Sequence, residues 1–108
     1  MFDEINTFLL QLPEVSIELH FEKISYRVRK KIVATFDEHT FRYCVKLSLT
    51  DQEMYSILNT DGVEIVPNKW GKIGWTFLDS EYLELEEMKE ILLKAYRVVA
   101  PKKLSMGI

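Results

Sequence analysis

The sequence predicts a two-layer α+β domain, an antiparallel β-sheet with helices packed on one face. Three observations predict it. From Val15 to Leu47 apolar and polar residues alternate with period two. Short polar stretches separate the alternating runs, which implies strands joined as an antiparallel meander. Three further stretches have helical spacing, enough to cover one face of the sheet.

In the first helical stretch, Phe2, Ile5, Leu9 and Leu12 share one face. Asp3 is placed to cap it, and Pro13 ends it because proline lacks an N–H and has a fixed φ. Val15, Ile17, Leu19 and Phe21 then alternate with Ser16, Glu18, His20 and Glu22, as in a half-buried strand. Ile24, Tyr26 and Val28 follow, with Lys30-Lys31 as the expected turn. Ile32, Ala34 and Phe36 are expected to point inward, and Asp37-Glu38-His39 to turn. Phe41, Tyr43, Val45 and Leu47 make the next strand.

Thr50 and Glu53 have capping-box spacing, which predicts a helix over about Asp51 to Thr60 with Met54, Ile57 and Leu58 on its apolar face. Gly62 is expected to close it in the left-handed conformation. Val63 to Val66 reads as a short strand, Asn68 to Ile73 as a loop, and Gly74 to Asp79 as a strand rich in Trp75, Thr76 and Phe77. In the last helix Leu85, Met88, Ile91, Leu92, Ala95 and Val99 form one stripe. Glu84, Glu86 and Glu87 lie near its start and Lys94 and Arg97 near its end, which complements the helix dipole.

The 108 residues suit a single domain, 1–108, that buries enough surface to fold without a metal or disulfide. The apolar share is 47% and the charged share 29%, which argues against disorder. The formal charge is −3, from 14 basic and 17 acidic side chains, so a polyanion partner must be argued from where the charges lie. Cys44 is the only cysteine, which fits a reducing, cytoplasmic compartment. Residues 1–11 have no basic n-region of a signal peptide, and no apolar run approaches the ~18 residues that would predict a membrane span.

Three segments carry a family resemblance: YRVRKKIVATF from Tyr26 to Phe36, VEIVPNKWGKIGWTFLD from Val63 to Asp79, and AYRVVAPKKL from Ala95 to Leu104. The Gly74-Trp75 pair and the Ala95-Tyr96-x-x-Val99 pattern are the most specific parts. Together they resemble the MmcQ/YjbR family, in the right order over nearly the whole chain. Two positions depart from it: Lys30 and Glu14 stand where many members have glycine. The resemblance implies a compact α+β fold of the kind seen in type III secretion chaperones. It also implies DNA binding through a double-wing motif, and it brings no catalytic residue. A shared fold does not by itself transfer a function.

Three groups of residues are candidate contacts. Arg27, Arg29, Arg42 and Lys46 are expected on the sheet face away from the helices, with Lys30 and Lys31 beside them. They would form one basic patch for phosphates, or they would pair across strands with carboxylates such as Glu18 and Glu22. The loop from Asn68 to Trp75 sets Lys69 and Lys72 beside Trp70, as a stacking platform for a base or as a core edge with solvated lysines. Lys94, Arg97, Lys102 and Lys103 extend a phosphate surface or merely compensate the helix end.

His20, His39 and Cys44 have no ligand-like spacing, so neither a metal nor another cofactor is expected, and nothing meets the tests for an enzyme. The expected function is therefore a non-enzymatic, DNA-binding domain that uses the basic sheet face and the Trp/Lys loop. The alternative is a protein-interaction or chaperone-like module without nucleic acid. No membrane partner is expected. Leu93, off the main helical stripe, hints at self-association, so the chain is expected as a monomer or a weak homodimer.

Overall fold

A computed structural model describes residues 1–20 and 22–107. The order along the chain is α1 (Phe2–Gln11), β1 (Val15–His20), β2 (Lys23–Val28), β3 (Lys31–Asp37), β4 (Arg42–Lys46), α2 (Leu49–Leu58), β5 (Val63–Ile65), a 3₁₀ turn (Gly71–Ile73), β6 (Trp75–Asp79), α3 (Leu85–Val99) and α4 (Lys102–Ser105). The strands form one six-stranded sheet in the order β1-β2-β3-β4-β6-β5, antiparallel throughout. The two-layer α+β architecture expected from the sequence is the one observed.

Alternation sorts the two faces. Tyr26, Val28, Tyr43, Val45 and Leu78 are buried against Ile5 and Leu9 of α1 and Met88, Ile91 and Leu92 of α3. Each fully buried aliphatic side chain of this kind contributes about 1.5–3 kcal/mol. Of the expected α3 stripe, Met88, Ile91, Leu92 and Ala95 are buried, while Leu85 and Val99 at its ends are half-buried. Leu93, expected to face solvent, is half-buried against the same core.

Several local expectations are corrected. The β2–β3 hairpin turns at Arg29-Lys30, not Lys30-Lys31. Both residues have positive φ, 49° and 72°, as a two-residue turn matched to strand twist requires. Between Tyr26 and Arg27 the register with β3 slips by one: Tyr26 faces Ala34, and Arg27 faces Ile32. Val33 is the extra residue and takes the buried position, so Ile32 turns outward. Phe41 lies in the β3–β4 turn at φ 57°, exposed. On the edge strand β1, Leu19 is 75% exposed. The inward placement expected for Phe21 falls outside the described residues.

Ser48, not Thr50, caps α2, its hydroxyl accepting from the Asp51 N–H at 3.1 Å. The helix also presents a different face from the expected one. Gln52 and Tyr55 are buried, while Ile57 and Leu58 are 66% and 69% exposed. Gly62 does not adopt a left-handed conformation. It is buried where an added Cβ would lie 2.6 Å from the Leu83 side chain. Asp3 lies in the first turn of α1 and makes no cap bond.

Candidate nucleic-acid interface

The tight turn at Arg29-Lys30 sets Lys30 at the hairpin tip and Lys31 at the start of β3. The register slip places Ile32 opposite Arg27 on the sheet face that the helices leave open. On β4 and β6 the same parity pairs Lys46 with Trp75. The C-terminal turn of α3 brings Val98 and Val99 to this end of the sheet. Arg27, Lys30, Lys31, Ile32, Lys46, Trp75, Val98 and Val99 line one open groove of about 460 Å³. Among the described residues no carboxylate lines it.

Of the cations in the groove, Arg27 is engaged. Its Nε lies 3.2 Å from a Glu18 carboxylate oxygen and donates to the Ser25 hydroxyl at 3.1 Å. Lys30, Lys31 and Lys46 form no ion pair among the described residues.

The structure takes two predicted residues out of the patch. Arg29 does not lie on the open face. Its guanidinium donates to both Glu14 carboxylate oxygens, at 3.0 and 3.2 Å. That bidentate pair holds the Glu14 carboxyl below its ordinary value and raises the arginine. Arg42 does lie on the open face but at the far end of β4, bonded to Glu64 at 3.2 Å. Its guanidinium also covers the Phe77 ring, 4.0 Å from the centroid. Asp37 and Asp79 face Arg42 in register, and Lys23 faces Asp37. The far end of the face is therefore charge-balanced, and the basic excess gathers at the hairpin end. Of the cross-strand pairs anticipated, Arg27–Glu18 forms. Glu22 instead bonds His39 across the neighbouring turns.

The loop from Asn68 to Trp75 is built separately. Asn68 Oδ1 accepts from the Trp70 N–H at 2.8 Å, and the loop then closes the 3₁₀ turn. A Cβ at Gly71 would lie 1.9 Å from the Val66 carbonyl oxygen, so only glycine fits there. Trp70 is 51% exposed, with Lys69 Nζ 5.6 Å from its ring centroid. Lys69 and Lys72 line a second depression with Gln52, Ile65, Val66 and Pro67, apart from the lysine groove. The tryptophan that joins the free lysines is Trp75, half-buried, which the sequence reading left out of the site. Its parity with Phe77, opposite to buried Thr76 and Leu78, is the signal that would have found it.

Other chemistry is sparse. Burial pushes the Cys44 thiol up, away from the thiolate a nucleophile needs. Among the described residues no group of three or more His, Cys, Asp or Glu side chains is placed to hold a metal. None of the described helices is long and apolar enough to cross a membrane.

Fold and groove together define an α+β sheet domain with a localised cationic groove at the hairpin end of its sheet, beside the C-terminus of α3. The same fold occurs in the crystal structure of the Deinococcus radiodurans protein DR2400, which has the family-model domain DUF419. The TM-score is 0.80, the sequence identity 16%, and the match covers 98% of this chain and 83% of that one. No family model matches the chain, and no curated protein sequence matches it.

Proposed function

We propose that this chain is a non-catalytic nucleic-acid-binding domain that works in the cytoplasm. The observation that carries the reading is the convergence of Lys30, Lys31 and Lys46 on a groove that no carboxylate lines among the described residues, beside an indole. Three lysines without carboxylate partners keep their full attraction for phosphate, because no local bond must be broken first. We also propose membership of the MmcQ/YjbR family. The DUF419 fold match over nearly the whole chain is consistent with it, as are the motifs around Gly74-Trp75 and Tyr96. Arg29 and Arg42 belong to local ion pairs in this reading, and the Trp70 loop lies outside the groove.

The test is fluorescence anisotropy with labelled single-stranded and duplex DNA over about 50 to 200 mM salt, where counterion release dominates. Three to four phosphate contacts predict a log–log salt slope of about −2 to −3.5. If neither form binds at the lowest salt, the reading fails.

A second reading, a protein-interaction module, is favoured by one observation. Met54, Ile57 and Leu58 form an exposed apolar stripe on α2. Light scattering at rising concentration tests its simplest form, a homodimer. In that case Ile57→Glu would return the chain to a monomer. A chain that stays monomeric throughout would argue against that form.

A further inference from the structure

We propose that the groove takes single-stranded nucleic acid, with one base stacked on the Trp75 indole and its flanking phosphates on Lys30, Lys31 and Lys46. This rests on the nucleic-acid reading above and names the strand form it selects.

The first ground is the composition of the groove. Phosphate binding alone needs only cations and N–H donors, yet Ile32, Trp75, Val98 and Val99 also line it. Those side chains offer an apolar contact in the same groove as the lysines, and the Trp75 indole gives it one flat face. A single strand can turn a base face into such a site, and each base has a π-face whatever its identity. In a duplex those faces are already covered by stacking, and only phosphates and groove edges meet the protein.

The second ground is the size and surroundings of the basic region. Duplex DNA presents phosphates on two strands, so a duplex site spreads cations over a wide surface. Here the cations of β3, β4 and the hairpin tip that form no ion pair among the described residues, Lys30, Lys31 and Lys46, all lie within one groove. Beyond it the open face carries Glu18, Asp37, Glu64 and Asp79, set against Arg27, Lys23 and Arg42. A second strand lying over those carboxylates would meet no net attraction. The hairpin tip does not widen the basic region either, because Arg29 is folded back onto Glu14.

Trp75 also reports on its own occupancy. In a Trp70→Phe background it is the only tryptophan, so its fluorescence follows the groove. The probes are an oligothymidylate of about ten nucleotides, within the site sizes known for stacking platforms, a duplex of equal length, and thymidine monophosphate. The expected result is quenching by the oligothymidylate with affinity at least about tenfold above the duplex. Trp75→Leu should lower single-strand affinity about five- to tenfold or more, while Trp75→Tyr, which keeps an aromatic face, should retain most of it. Duplex binding as tight as single-strand binding would overturn the strand preference and leave the nucleic-acid reading standing. Thymidine monophosphate binding as tightly as the oligonucleotide would overturn it in favour of a nucleotide site. Binding of neither DNA form would remove both readings.

Discussion

Gln52 Nε2 donates to the Gly71 carbonyl oxygen over 2.9 Å, and this bond ties α2 to the loop ahead of Trp75. The same amide lies 3.1 Å from the Trp75 carbonyl oxygen and 3.2 Å from the Thr76 hydroxyl. That hydroxyl in turn donates to the Gly74 carbonyl oxygen at 2.9 Å. Gln52 is only 4% exposed, so these bonds are largely shielded from water. Gln52→Leu removes the donor. The two carbonyls keep backbone partners, Gly74 on Gly71 and Val66 on Trp75, which limits the damage. The expected loss is about 1–3 kcal/mol, read as a lower urea midpoint at unchanged m-value. Gln52→Glu should cost more, because a carboxylate would face three acceptors with no proton to offer.

The lysines of the groove should behave as phosphate contacts. Lys31→Gln and Lys46→Gln should each weaken nucleic-acid binding by a similar factor on every sequence. Each should also flatten the salt slope by about 0.7–0.9. Arg42→Gln is the contrast. Its guanidinium is engaged with Glu64 and Phe77, so its loss should leave the slope unchanged. A slope that responds to Arg42 and ignores Lys46 would move the contact to the other end of the sheet.

The Glu14–Arg29 pair gives a pH dependence with a definite sign. Arg29 hydrogen bonding holds folded Glu14 below 4.5, the ordinary value expected in the unfolded chain. A group lowered in the folded state contributes stability that is fully present above its unfolded value. That stability is lost as pH falls through the folded value. Wild type should therefore exceed Glu14→Gln in urea midpoint at about pH 6, and the gap should shrink as pH falls below 4.5 and through the lowered folded value. The pair is exposed, so the effect is small. A gap that persists undiminished at acid pH would mean that packing, not charge, is what Glu14 supplies.

Much of the fold was legible because period and burial coincide in it. Tyr43 and Val45 had to share a face, and so did Met88, Ile91 and Leu92. Legibility failed where a bond between distant residues outweighed local hydrophobicity. The apolar side chains of α2 marked Met54, Ile57 and Leu58 as its inner face, but the Gln52 amide and the Tyr55 hydroxyl, bonded to Glu90 at 2.7 Å, turn the other side inward. The hairpin turn was displaced by one residue because Arg and Lys carry no turn signature. Burial of Val28 and Val33 decides it. In the candidate site, the parity of Arg27 and Lys46 was readable. The pairing of Arg29 with Glu14, across fifteen positions of sequence, was not. Nor was the approach of Val98 and Val99, which depends on where α3 ends over the sheet.

Glu14 and Lys30, the two positions where the family resemblance expects glycine, both have positive φ, 60° and 72°. The backbone there keeps the conformation that glycine would adopt without strain, while carrying a side chain. For Lys30 this costs about 1–2 kcal/mol of left-handed strain, partly offset because glycine is more flexible when unfolded. Lys30→Gly should therefore raise stability by about 0.5–1 kcal/mol, seen as a higher urea midpoint. It should also weaken nucleic-acid binding, because it removes one of the three unpaired cations of the groove. Lys30→Asn, whose side chain tolerates the left-handed region, should keep wild-type stability or exceed it, and bind like the glycine variant. Opposite movement of stability and affinity is what a residue retained for its charge predicts. If Lys30→Gly gains stability with affinity unchanged, the hairpin tip is not part of the contact, and Lys31 and Lys46 must hold the phosphates without it.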